Sequence, residues 1–193
     1  RKERTEGYLK SLGVPVNPHL PFVEGETEVR LREPKEVAKR AIVLYALVAV
    51  AHGADRKRAT AWLRQEGLWE SVSPKEKAFL ESDNPPAQDR TDATWRAESL
   101  WTLLWALGKT ERLDLPKEMC DPQLIEQILP PPDSSCAEFI NRAALRPISE
   151  ILDATDLIYR IHWAVVDARL NNRETPRGFH PGIVYGRHYA LNW

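Results

Sequence analysis

LRPISEILDATDLIYRIHWAVVDARLNN, residues 145–172, decides the fold. Charged residues recur there at helical spacing within an otherwise apolar segment, so the stretch reads as one long helix that Pro147 begins and Asn171 and Asn172 end. At about 100° per residue, Ser149, Asp153, Asp156, Arg160, Trp163 and Asp167 fall on one narrow stripe. Burying a charge is costly unless it is paired, so this stripe is either a structural ion network or a site. Asp156 and Arg160 stand four apart in the favourable acid-first order and predict an intrahelical ion pair. Asp153 and Asp167 are separated by 14 residues, about 21 Å of straight helix, and cannot share one ion or one proton transfer. His162 lies on the opposite side among Ile158, Val165 and Val166, where it reads as a core histidine.

Downstream, the Pro- and Gly-rich RETPRGFHPG leads into a final helix over residues 183–193, which brings Tyr185, Arg187, His188, Asn192 and Trp193 close together. Those residues suit either an acid/base site or the charge-assisted bonds that dock a terminal helix onto a bundle, with Arg187 reaching the acidic stripe. Upstream, local punctuation divides the chain. Residues 1–12 form a charged helix stopped by Gly13, and VPVNPHLP makes an irregular proline-rich arm. TEVRLRE alternates as one short strand would, but a lone strand makes no sheet. Pro34 opens a helix ending near Gly53, Asp55 caps the next, and Ser73, Pro74 and Glu76 form a capping-box start. ATWRAESLWTLLWALG is apolar almost all round and should be enclosed, so its Arg96 and Glu98 need partners. Asp121 caps a further helix, and another begins near Ser134. The fold class is therefore all-α: a single-domain irregular bundle of about eight helices over residues 1–193.

Composition narrows the function. A chain of 193 residues buries roughly 70% of its unfolded surface and supports one sizeable core. With 27 Lys+Arg against 28 Asp+Glu, it lacks the basic field of a nucleic-acid binder. The longest apolar run, AIVLYALVAVA at residues 41–51, falls short of the roughly 20 residues that a bilayer requires, so no membrane association is expected. The charged start, RKERTEGYLKSLG, carries no apolar export region, and a cytoplasmic location is expected. Cys120 and Cys136 have neither metal spacing nor the density of a disulfide framework and read as reduced thiols. The nucleophile elbow, the phosphate loop, the HExxH helix and the ExxH pairs of di-iron bundles are missing, so no metal or cofactor is expected.

LREPKEVAKRAIVLYA, TWRAESLWTLLWALG, LRPISEILDATDLIYRIHWAVVDARL and GRHYALNW together resemble a bacterial family of unknown function, numbered 4272, across the whole chain. The resemblance implies an intact globular domain and carries no catalytic role to any residue. The family pattern has an acid where this chain has Gly186, and it runs past Trp193 into an acidic tail. Two readings follow. One is a non-enzymatic binding or interaction module with a protein partner, for which Arg160, Trp163, Tyr185 and Asn192 are the binding candidates. The other is a hydrolase-like or metal-assisted enzyme with a polar pocket between the 147–171 helix and the C-terminal helix. Its catalytic candidates are Asp153, Asp156, Asp167, Arg187 and His188.

Overall fold

The computed structural model describes all 193 residues, Arg1–Trp193, and every regular element in it is helical. The helices are α1 (Lys2–Ser11), α2 (Pro34–Ala51), α3 (Arg56–Gln65), α4 (Pro74–Glu81), α5 (Ala87–Ala106), α6 (Pro122–Ile128), α7 (Ala137–Asn141), α8 (Ile148–Leu170) and α9 (Pro181–Leu191), with 3₁₀ turns at Trp69–Ser71 and Pro176–Gly178. No helix is long and apolar enough to cross a membrane.

Short-range chemistry sets most boundaries. Asp55 accepts from the Arg58 amide at 2.8 Å, and Asp121 from that of Gln123 at 2.9 Å, satisfying orphan donors at the starts of α3 and α6. Ser73 and Glu76 close the reciprocal box on α4, and Glu33 with Glu36 does the same on α2. Gly13 and Gly108, at φ 72° and 68°, take the left-handed conformation that turns the chain away after α1 and α5.

Four boundaries or elements differ from the sequence reading. TEVRLRE forms no strand: Gly25 and Glu28 close a turn in both directions, at 3.0 Å through the backbone and 2.7 Å through the Glu28 carboxylate, and no second strand exists to pair with it. The helix expected from Ser134 begins only at Ala137, because Ser134 is held in a turn by both amide and hydroxyl bonds to the Pro131 carbonyl. Pro147 caps α8 from outside instead of lying in its first turn. His180, whose Nδ1 accepts from the Gly182 amide at 3.2 Å, starts α9 two residues earlier than expected.

The chain folds into two compact units. One comprises Arg1–Leu31, Arg112–Met119 and Arg146–Trp193, and therefore α1, α8 and α9. Its core joins Leu9 and Val14 to Ile158, Ile161, Val165, Phe179 and Val184. The other comprises Arg32–Glu111 and Cys120–Leu145, and is built around α2 packed along α5. There the tryptophan-rich helix is enclosed as expected: Leu100 and Leu104 are fully buried and Trp105 nearly so. Glu98 is buried and accepts from the Cys120 amide at 2.6 Å. Arg96 is only half-buried, on the side where its charge acts on Asp92.

Candidate functional site

Each acid of the α8 stripe faces a cation. Arg160, 1% exposed, donates to both carboxylate oxygens of Asp156 at 2.7 and 3.2 Å, to Glu6 of α1 at 3.3 Å, and to the Pro21 carbonyl at 3.3 Å. Asp153 receives Arg1 at 2.9 Å and also Arg4, while Arg1 reaches Glu26 at 3.5 Å. Lys2 donates to the Pro18 and Leu20 carbonyls at 2.6 and 2.7 Å. Helix α1 and the proline-rich arm thus supply counter-charges and free carbonyls to the stripe. The arm is irregular for a reason: prolines leave its carbonyls without helical donors, and Lys2 and Arg160 take them.

Of the candidate residues, Asp156 and Arg160 pair with each other, while Asp153 is held separately by Arg1 and Arg4. Asp167 binds Arg173 and the Asn171 amide at the end of α8. Arg187 is buried and donates to the Asp114 carbonyl, in the Arg112–Met119 segment. The nearby Pro116 carbonyl accepts from the His180 amide at 2.8 Å, a second tie on the same segment. Trp163 is half-buried against the core around Leu9, and Asn192 caps α9 by donating to the His188 carbonyl at 2.7 Å. No group of three or more His, Cys, Asp or Glu side chains is placed to hold a metal ion.

His188 belongs to a different cluster. Its ring lies 4.5 Å from that of His162, centroid to centroid, and 6.0 Å from Tyr159 in a stacked arrangement. His162 in turn meets Tyr185 edge-on at 6.4 Å, and Tyr185 stacks on Tyr189 at 6.4 Å. Each histidine therefore touches the tyrosine of the other helix. Numbers rise along α8 from 159 to 162 as they fall along α9 from 188 to 185, so the two helices run antiparallel at this crossing. Burial, followed by the proximity of His162, pushes His188 down to about 4, and burial with the Arg169 charge lowers His162 as well. Both imidazoles are neutral at pH 7, each with one donor and one acceptor nitrogen.

His162 was expected in the core, and Tyr159 and Tyr189 were not singled out at all. A signal for them exists in the sequence: YRIH at residues 159–162 and YGRH at residues 185–188 repeat Tyr-x-x-His, each enclosing an arginine that the fold buries. Three residues is one turn, so tyrosine and histidine share a face while the arginine points away.

A family profile described as a domain of unknown function, DUF4272, matches residues 1–193, the whole chain. The chain belongs to the DUF4272 family. No curated protein and no solved structure matches it. Membership in DUF4272 assigns no chemistry to the Tyr-x-x-His pair.

Proposed function

We propose that this DUF4272 chain is a non-enzymatic binding module that recognises a protein partner through the tyrosine–histidine face of α8 and α9. The observation that supports this is the cross-paired quartet Tyr159, His162, Tyr185 and His188, flanked by Tyr189, with Tyr185 56% and Tyr189 39% exposed. Protein interfaces draw most of their binding energy from a few aromatic anchors with polar tips, and they are depleted in charge at the centre. Neutral imidazoles fit that centre because covering them strands no charge. The acids that an enzyme would use on these helices are already neutralised by Arg1, Arg4, Arg160 and Arg173.

Affinity capture from native extract should be run with wild type and with the double variant Tyr185→Ala, Tyr189→Ala. A stoichiometric protein held by wild type and lost by a variant of unchanged melting temperature supports the face. Equal capture by both overturns it.

A metal-assisted reading rests on one observation, the close approach of two neutral imidazoles. A melting temperature that rises with zinc in wild type but not in His162→Gln would put it first.

A further inference from the structure

A cavity of about 390 Å³ opens in the second unit, between α2, α3 and the loop before α7. Its volume falls within the roughly 300–1,000 Å³ of small-molecule sites. Its walls are almost wholly apolar: Tyr45 and Trp62, edge to face with centroids 6.5 Å apart, alanines such as Ala49, and Pro132. Trp62 is fixed in place, since its indole Nε1 donates to the Ser134 carbonyl at 2.8 Å.

Three charged residues complete the lining, the acids Asp55 and Asp133 against the single cation Arg58, a net charge of −1. Arg58 Nε holds Oδ2 of Asp133, which leaves Oδ1 uncommitted. Asp133 adopts φ 67°, a left-handed conformation that Asp tolerates, within the turn that Ser134 closes onto the Pro131 carbonyl. Glu126 adds negative potential, since its charge, after burial, helps to raise the Tyr45 phenol above its ordinary 10.0. The phenol therefore stays protonated and contributes no negative charge of its own.

Aromatic walls attract cations through the negative faces of their rings, and an acidic excess does so through its charge. We infer that this cavity binds a small organic cation, with its apolar body against Tyr45 and Trp62 and a protonated amine at Asp133. This site is separate from the proposed partner face and does not depend on it.

The test titrates the full chain, by calorimetry, with three probes of similar shape: 2-phenylethylamine, 2-phenylethanol and 3-phenylpropionate. The amine should bind one to one and at least tenfold more tightly than the alcohol, with the carboxylate weaker still. Asp133→Asn keeps a residue that tolerates the left-handed backbone and should erase the amine's advantage over the alcohol. Ala49→Leu should fill the cavity and abolish binding of both. The inference is overturned if the amine gives no saturable heat, if alcohol and amine bind equally to wild type, or if neither substitution changes the amine's affinity.

Discussion

Arg160 and Asp156 meet one turn apart inside α8, Nη2 to Oδ1 at 2.7 Å, with side chains 1% and 0% exposed. A pair so enclosed is tolerated because every part of the guanidinium has an acceptor, including Glu6 and the Pro21 carbonyl from the start of the chain.

Asp156→Asn should therefore destabilise the protein, by about 3–5 kcal/mol if the full cost of stranding a buried charge applies. Were Asp153 and Asp156 instead held together for a divalent ion, the substitution would relieve repulsion and stabilise the metal-free chain. Urea midpoints of wild type and variant decide by their order.

The N-terminus of α4 joins two devices in one residue. Glu76 returns a bond to the Ser73 amide at 3.0 Å and also holds Arg40 at 2.6 and 2.8 Å, both side chains being buried. Ser73→Ala should cost about 1 kcal/mol, the usual loss of a cap. Glu76→Ala should cost more, about 3–5 kcal/mol, because it removes the carboxylate that two bonds hold against the buried Arg40 guanidinium. Equal midpoints for the two variants would refute this ranking.

Acid dependence follows from the same carboxylate. Burial works to raise Glu76, but the bonds and charge of Arg40, with Ser73, outweigh it and hold the group below its ordinary 4.5. A carboxyl lowered in the folded state stabilises the protein above its unfolded value, and that contribution disappears as pH falls through the folded value. Wild type should lose stability below pH 4.5, and Glu76→Gln should be weaker at pH 7 with a flatter acid limb.

His188 acts in the neighbouring pH range. It titrates near 4 when folded and near 6.5 when free, so the unfolded chain takes up the proton first. Stability from this site is complete above pH 6.5 and drains away as pH falls towards 4. In proton NMR the His188 ring resonance should still be unshifted at pH 5.5, and His188→Gln should remove this part of the pH dependence. A midpoint near 6.5 in the folded protein would contradict the burial that the quartet imposes.

The thiols should separate in reactivity. Burial, then the charge and hydrogen bond of Glu66, pushes Cys136 up to about 12, and its side chain is fully enclosed, whereas Cys120 is partly exposed. The thiolate is the reactive form, so iodoacetamide at pH 8 should modify Cys120 alone in the folded protein and both residues in urea. Mass spectrometry of the two peptides gives the answer.

The amino-acid sequence by itself determined what is encoded within a turn or two of helix: the all-α class, the caps at Asp55, Ser73 and Asp121, the stops at Gly13 and Gly108, and the Asp156–Arg160 pair. Each depends on groups a few residues apart, so composition and spacing suffice. Tertiary structure alone decided what the charges and rings do. Arg160 reaches Glu6 across 154 positions, and Arg187 reaches the Asp114 carbonyl 73 positions away. His162 became half of a histidine pair only because α9 crosses α8 at His188. Such encounters are set by how buried faces pack, and a helical wheel records only the direction in which a side chain leaves its own helix, not what stands opposite.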